Sequence, residues 1–345
     1  MTITAVDFFC GAGGMTRGLL DSGVKVILGI DSRESCRRTY EQNNPPTKFL
    51  CCDIRKLSFS QIAEEISGIP RDQLMFAACA PCQPFSKQRT VAKDIHQRTL
   101  LSYFTRFVRK FQPGFIFVEN VPGIARVRGN STYRRFISTL ERIEYEYDAT
   151  DVDAKNYGVP QTRRRHILLA SKSTRICIPE PTHGPSRIPY ETVRNAIKHF
   201  PPIKAGDAHP SVPNHRASFL SAANLKRLHH TPSDGGNRKD WPENLFLPCH
   251  KGKYEGHTDV YGRMWWDRPA PALTCKCHSL SNGRYGHPDQ DRAISLREAA
   301  ALQSFPDTYI FYGNSKQEVG DQIGNAIPVR LAREIARTIV RSCIR

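Results

Sequence analysis

Cys82 lies in a segment whose composition favours a reactive thiol. The run Ala80-Pro81-Cys82-Gln83-Pro84-Phe85-Ser86 follows a short apolar stretch, and its prolines stiffen the backbone around the cysteine. Basic residues follow closely, which favours an exposed thiolate that can act as a nucleophile. Most cysteines are buried packing residues, so the segment leaves two alternatives, a catalytic nucleophile and a structural thiol.

A carboxylate and two arginines form a second group of candidate residues. The apolar stretch Phe115–Val118 ends at Glu119. A carboxylate at a strand end can act as a general acid or as a hydrogen-bond partner inside a pocket; the alternative is a carboxylate at a helix N-terminus. Arg163 and Arg165 alternate along an extended segment, so they share one face and suit a phosphate or a base oxygen.

The N-terminal segment has the pattern of a nucleotide-cofactor site. The strand Ala5–Phe9 runs directly into Cys10-Gly11-Ala12-Gly13-Gly14. A strand, a glycine turn and a helix in this order let a ligand approach the backbone. Asp31 follows the next strand, where its carboxylate can accept both hydroxyls of a ribose, and Asp53 ends a third candidate strand. Together these strand ends predict a cofactor that carries adenosine.

The elements that position these residues alternate between strands and helices. Over the first 170 residues, short apolar runs are separated by amphipathic stretches, the clearest of which is Leu100–Phe111. Alternation at this spacing is typical of a parallel sheet, so we expect a doubly wound, mostly parallel α/β fold. The candidate strands are Ala5–Phe9, Val26–Ile30, Met75–Ala78, Phe115–Val118 and His166–Ala170.

The chain has 345 residues, and its composition changes at about Pro179. Prolines and histidines become dense beyond this point and the periodicity fades, which indicates a second, smaller, loop-rich domain. We therefore expect one domain formed by residues 1–178 together with 314–345, and a second formed by 179–313.

The charge balance favours a polyanionic partner. The chain has 50 Lys and Arg against 33 Asp and Glu, a net charge of +17, and an excess of this size is most often associated with nucleic acid. Between Lys87 and Arg142 there are 12 basic and 3 acidic residues. This segment is either a phosphate-contacting surface beside Cys82 or a solvated helix face.

Membrane proteins and exported proteins are two classes that the sequence does not favour. No apolar run approaches the roughly 20 residues that cross a bilayer, and the N-terminus does not have the pattern of a signal peptide, so we expect no membrane association and no export. The 11 cysteines form no regular framework, which is typical of a reducing compartment. No metal is predicted, since Cys275-Lys276-Cys277-His278 places adjacent ligand types on opposite faces of an extended segment.

Six motifs bracket nearly the whole chain. They are Asp7-Phe8-Phe9-Cys10-Gly11-Ala12-Gly13-Gly14, Pro81-Cys82-Gln83-Pro84-Phe85-Ser86, Glu119-Asn120-Val121, Gln161-Thr162-Arg163-Arg164-Arg165, Arg292-Ala293-Ile294-Ser295-Leu296-Arg297-Glu298-Ala299 and Gly324-Asn325-Ala326-Ile327-Pro328-Val329. In their residues and their order, these motifs resemble the DNA (cytosine-5)-methyltransferase family of the prokaryotic restriction-modification type. One departure is Ala80, where the commoner form has a second proline. The segment from about Pro179 to Asp291 falls where this family keeps its variable target-recognition region.

The resemblance implies an S-adenosylmethionine-dependent methyltransferase fold with a target-recognition domain at 179–313. It implies methyl transfer to carbon 5 of a cytosine that is flipped out of a specific short double-stranded DNA sequence. In this family picture, Cys82 adds to carbon 6 and Glu119 contacts ring nitrogen 3 and the exocyclic amine. Arg165 holds the base oxygen, and Arg163 supports Cys82.

The resemblance also implies two sets of binding residues, with S-adenosylhomocysteine as product and no metal. Asp31 would bind the ribose of S-adenosylmethionine and Asp53 its adenine amine. The other cofactor residues would be Phe9, Gly11, Gly13 and Asn325. The expected DNA contacts are Gln83, Ser86, Lys87, Arg89, Arg263 and Arg284. For Arg263 and Arg284 the expectation is base reading, and the alternative is phosphate contact or support of the fold.

The expected partners are double-stranded DNA and a cognate restriction endonuclease that acts separately, with the enzyme a monomer in a prokaryotic cytoplasm, near the nucleoid. A tRNA-directed relative of the same family is one alternative, although its usual Cys-Phe-Thr signature is absent. A non-catalytic DNA-binding protein with this fold is another. An amino-group methyltransferase is not supported, because Asn44-Pro45-Pro46-Thr47 lacks the final aromatic residue of that motif.

Overall fold

A computed structural model of the chain describes residues 2–80, 99–126, 131–248 and 259–343. The chain divides into two compact units. The first, which we call the sheet unit, comprises Met1–Tyr157, Arg164–Thr182 and Ala326–Arg345; the second comprises Gly158–Arg163 and His183–Asn325. The division into one domain formed by 1–178 and 314–345 and a second formed by 179–313 stays a prediction. Within the described ranges, no helix is both long and apolar enough to cross a membrane.

The sheet unit is built on seven strands in the order β3-β2-β1-β4-β5-β7-β6. Strands β1 to β5 are parallel, and β7 is antiparallel to both of its neighbours. The prediction of a mostly parallel α/β fold is therefore confirmed. The strands are β1 (Thr4–Phe8), β2 (Lys25–Asp31), β3 (Lys48–Cys51), β4 (Leu74–Ala78), β5 (Phe115–Asn120), β6 (Glu146–Asp153) and β7 (Arg164–Ser171).

Helices of the sheet unit connect and cover these strands. They are α1 (Gly14–Asp21), α2 (Arg37–Asn43), α3 (Phe59–Glu65), α4 (Leu100–Phe111), α5 (Thr132–Arg142) and the C-terminal α10 (Val329–Ser342). In the described part of the second unit, the α-helices are α6 (Val193–Ile197), α7 (Ala222–His229), α8 (Leu296–Leu302) and α9 (Lys316–Asn325).

The central strands are apolar on both faces because helices cover both sides of a parallel sheet. Every residue of β4 and β5 is buried. On one side, Phe8 of β1 packs against Phe76 of β4 and Phe104 of α4, each with a ring-centroid distance of 5.2 Å. The edge strand β6, which the sequence analysis did not predict, is largely polar and mostly only partly buried, so it lacks the continuous apolar run of the central strands.

The register of the parallel strands brings the ends of several motifs to one edge of the sheet. Phe8 is the partner of Ala78, and Ala78 is in turn the partner of Val118. The residues that follow these positions, Cys79 and Glu119, therefore reach the carboxyl edge of the sheet together.

The second unit is organised by a buried ion pair. Both terminal nitrogens of Arg292 donate to Glu298 at 2.7 Å, and both residues are at most 1% exposed. Glu298 also completes a capping box with Ser295 at the start of α8. Although burial opposes its charge, the hydrogen bonds from Arg292 lower the pKa of Glu298 to about 2.

Helices α1 and α10 pack closely at Gly18. A Cβ atom on Gly18 would lie 2.5 Å from the Cβ of Ala332 and 2.6 Å from the carbonyl oxygen of Val329. We expect Gly18→Ala to lower the free energy of unfolding by about 1–3 kcal/mol through overpacking, measured by urea denaturation. Ser102→Ala, an exposed change in α4, is the control; equal stability of the two variants would contradict the prediction.

Candidate active site

The turn after β1 is tightly folded and has an unusual backbone conformation. Phe9, Gly11 and Gly13 have φ angles of 61°, 51° and 89°, so the backbone enters the left-handed region three times within five residues. A Cβ atom on Gly11 would lie 3.0 Å from Nη2 of Arg33. A larger residue at this position would crowd Arg33 and strain the left-handed backbone, so glycine is the residue that fits.

Asp31 fixes this turn from the neighbouring strand. Its Oδ2 accepts a hydrogen bond from the backbone N–H of Gly11 at 2.9 Å, and its Oδ1 accepts from the N–H of Arg33 at 2.9 Å. Asp31 is 8% exposed. The carboxylate that the sequence assigned to a ribose is therefore also the structural link between the ends of β1 and β2.

The two acidic residues of the expected cofactor site share one local arrangement. Asp31 and Asp53 each accept hydrogen bonds from the backbone N–H and the side chain of the arginine two residues later, Arg33 and Arg55. The hydrogen bonds from Arg55 lower the pKa of Asp53. The Asp-x-Arg spacing, visible in the sequence, is the signal that would have identified both arginines.

Asp7 is a buried carboxylate directly beneath the glycine turn. Its Oδ2 accepts a hydrogen bond from Thr16 at 2.7 Å, and Thr16 contacts the hydroxyl of Tyr40 at 2.8 Å. Within the described residues, Oδ1 of Asp7 has no hydrogen-bond partner. Asp7 is fully buried and no basic side chain in the described part of the chain pairs with it, so burial raises its pKa to about 7.

Glu119 is held at the end of β5 through both of its oxygens. Its Oε1 lies 2.7 Å from Nε of Arg165 on the adjacent β7, and its Oε2 accepts a hydrogen bond from the thiol of Cys79 at 3.2 Å. Burial, followed by the Glu119 charge, raises the pKa of Cys79 well above its ordinary range, so the thiol keeps its proton and donates it. The carboxylate is thereby fixed in one orientation.

Five predicted site residues lie outside the described part of the chain. They are Cys82, Gln83, Ser86, Lys87 and Arg89, and their roles stay predictions. Cys79 is the residue that sequence reasoning missed at this place. Its signal was its position at the end of β4, next to the strand that carries Glu119.

One predicted catalytic residue, Arg163, and one predicted cofactor residue, Asn325, belong to the second unit. The guanidinium of Arg163 is buried and donates to the carbonyl oxygens of Leu273 and Gly324, both at 2.7 Å. Asn325, which is exposed at the end of α9, accepts a hydrogen bond from the thiol of Cys275 at 3.2 Å. Support of Cys82 by Arg163 and cofactor contact by Asn325 stay predictions.

Arg263 and Arg284 are buried in the second unit and hydrogen-bond to its backbone. Arg263, 2% exposed, donates to the carbonyl oxygens of Leu228, Thr231, His287 and Gln290 and pairs with Asp291. Arg284, 9% exposed, donates to the carbonyl oxygens of Gly235, Gly236 and Arg263. These hydrogen bonds favour the alternative in which the two arginines support the fold. Contact of either arginine with DNA stays a prediction.

The class of protein follows from what this sheet edge can bind. A glycine turn and two acidic strand ends on a mostly parallel sheet with an antiparallel β7 are the arrangement of an S-adenosylmethionine-dependent methyltransferase. A prophage-encoded E. coli protein described as a DNA modification methyltransferase shares this fold, with a TM-score of 0.78 at 21% identity over the full length of both chains. A mutant of DNMT2 from Spodoptera frugiperda does so with a TM-score of 0.65 at 16% identity, over 98% of this chain and all of its own.

The chain belongs to the C-5 cytosine-specific DNA methylase family, whose model matches residues 3–341. It is 40% identical to the Type II methylase M.HgiDII of Herpetosiphon aurantiacus, over 99% of this chain and 96% of that one. It is 32% identical to the Type II methyltransferase M1.HphI of Haemophilus parahaemolyticus, over 99% and 87%. The chain is thus a DNA (cytosine-5-)-methyltransferase, and the family implies DNA as substrate and S-adenosylmethionine as methyl donor.

The raised pKa of Asp7 makes stability depend on pH. Between its ordinary pKa of 3.8 and the folded value of about 7, the folded chain keeps a proton that the unfolded chain releases. Asp7 therefore lowers the free energy of unfolding as the pH rises through this window. We expect Asp7→Asn to make that decline shallower, in urea denaturation at pH 4.5, 6 and 8. Identical pH dependence in both proteins would show that Asp7 is not buried as a neutral acid.

Proposed function

We propose that this enzyme methylates carbon 5 of a cytosine that is flipped out of a short, specific double-stranded DNA sequence, with Cys82 as the nucleophile. The observation that carries the proposal is the fixed carboxylate of Glu119, held by Arg165 and Cys79 at the sheet edge that also bears the glycine turn. A cytosine ring presents a ring nitrogen and an amine to such a group. The family match supports DNA over the tRNA alternative and over a non-catalytic DNA-binding protein.

The residues at the glycine turn fit S-adenosylmethionine. We assign the adenosine to the turn of Phe9, Gly11 and Gly13, with Asp31 at the ribose and Asp53 at the adenine amine. The left-handed glycine turn and the acidic strand ends beside it support this assignment, because a ligand can approach such a turn closely and carboxylates accept hydrogen bonds from ribose hydroxyls and an amine. When bound, this cofactor supplies an electrophilic methyl group. Asn325 is proposed as a further contact, and no metal takes part.

The protein's own groups activate a base that is otherwise a poor nucleophile at carbon 5. The Cys82 thiolate adds to carbon 6, which breaks the aromaticity of the ring and makes carbon 5 enamine-like. Glu119 contacts ring nitrogen 3 and the exocyclic amine and stabilises this adduct, while Arg165 holds the base oxygen and Arg163 supports Cys82. After methylation, loss of the carbon 5 proton and expulsion of the thiolate restore the ring.

The remaining assignments concern recognition and partners. Residues 179–313 are proposed to select the DNA sequence, and Gln83, Ser86, Lys87 and Arg89 to contact the DNA beside the flipped base. We further propose that the enzyme acts as a monomer, near the nucleoid of a prokaryotic cell, and that a cognate restriction endonuclease acts on the same site separately.

Replacement of Cys82 tests the covalent mechanism. We expect Cys82→Ala to abolish methylation, measured by bisulfite sequencing of DNA from an expressing host, because the remaining groups cannot activate carbon 5. Binding of S-adenosylhomocysteine in calorimetry should be retained. The wild-type enzyme should also form a covalent complex with DNA that carries 5-fluorocytosine, since fluorine cannot leave as a proton does. Methylation by the alanine variant would refute the nucleophile.

The hydrogen bond from Cys79 to Glu119 predicts a graded effect on turnover. We expect Cys79→Ala to reduce kcat about five-fold, the equivalent of roughly 1 kcal/mol for one hydrogen bond, because Glu119 loses one of its two supports. Cys79→Ser keeps a donor and should stay nearer to the wild-type value. The exposed Cys177→Ala is the control. Equal kcat values for Cys79→Ala and Cys79→Ser would mean that the donor has no role.

A further inference from the structure

Trp265 in the second unit carries two arginine side chains on its ring. The guanidinium carbon of Arg284 lies 4.2 Å from the ring centroid and that of Arg268 lies 4.7 Å from it. The backbone at Gly235 packs directly against the indole, since a Cβ atom there would lie 1.8 Å from its Nε1. The ring is therefore a fixed platform for two positive charges.

The two arginines on this platform have different surroundings. Arg284 is turned into the protein, where its Nη1 donates to three backbone carbonyl oxygens, and burial lowers its pKa. Arg268 is exposed and has no ion pair with any residue in the described ranges. Arg284 repels Arg268 and does not neutralise it, so the outer guanidinium is a cation held at a defined place with no carboxylate partner among the described residues.

A neighbouring pair provides an internal comparison. Arg194 stacks on Trp266 at 5.3 Å, but its guanidinium also forms two hydrogen bonds with Asp267 at 2.6 and 2.8 Å. Both arginines are thus placed by an indole, and among the described residues a carboxylate neutralises Arg194 but not Arg268. Stacking fixes a guanidinium without consuming its hydrogen-bond donors, so Arg268 keeps its planar fork available for an anion.

We propose that Arg268, presented on Trp265, binds a phosphate of the DNA backbone. The guanidinium fork matches two oxygens of a phosphodiester, and DNA is the polyanion that this enzyme must bind. The contact is to the backbone and so contributes affinity and register rather than base selection. The inference rests on DNA as substrate and is independent of the role proposed for Cys82.

Salt dependence of binding distinguishes the two arginines. The full chain, with S-adenosylhomocysteine present, is titrated with a 30-base-pair duplex of mixed sequence at several NaCl concentrations, and log K is plotted against log[NaCl]. Arg268→Gln should lower the slope by roughly 0.9, as expected for one lost phosphate contact. Arg194→Gln is the matched control and should leave the slope unchanged. A wild-type slope in Arg268→Gln, or equal losses in both variants, overturns the proposal.

A second measurement uses the unmodified protein, in case Arg268→Gln fails to fold. Phenylglyoxal modification of the wild-type chain, followed by peptide mass spectrometry, should label Arg268, and the duplex should protect it. Labelling of Arg268 that the duplex does not reduce overturns the proposal. Neither measurement requires methyl transfer, so failure of the covalent mechanism and failure of this contact are distinguishable.

Discussion

The parallel register of β2, β1, β4 and β5 is the constraint on which the candidate site depends. Because parallel strands end at the same edge of a sheet, groups far apart in the sequence meet there without any long-range motif. Cys79 and Glu119 are 40 residues apart and in hydrogen-bond contact, and Gly11 and Asp31 are 20 residues apart and in contact. The hydrogen bonds between strands therefore determine which polar side chains can act together.

Two buried carboxylates show how the surroundings decide whether such a group is charged. Glu298 is bound by both terminal nitrogens of Arg292 and stays ionised, with a pKa of about 2. Asp7 accepts a hydrogen bond from the neutral hydroxyl of Thr16, no basic side chain among the described residues pairs with it, and burial raises its pKa to about 7. The first arrangement holds together a loop-rich unit at any physiological pH. The second leaves a carboxylate beneath the glycine turn that is easily protonated.

The high net charge of the chain does not show how many of its basic side chains are available to DNA. Several arginines of the second unit are buried and donate to backbone carbonyl oxygens, which gives irregular segments the hydrogen bonds that regular strands would otherwise supply. An arginine that serves the fold in this way is not available to phosphate. The buried arginines that donate to backbone carbonyl oxygens in this way include Arg163, Arg263, Arg284, Arg292 and Arg297.

The parallel sheet and the glycine turn can be predicted from the sequence alone, because apolar runs and glycines at a strand end are local signals. The sequence also determined the family, because the spacing of the six motifs is a property of the chain alone. The support of Glu119 by Cys79 could not be predicted in this way, since it depends on the register of β4 and β5 in the folded sheet. The tertiary structure likewise showed that Arg263 is buried and Arg268 exposed. The two arginines lie five positions apart in one segment, and it is packing that distinguishes the buried side chain, which supports the fold, from the surface cation.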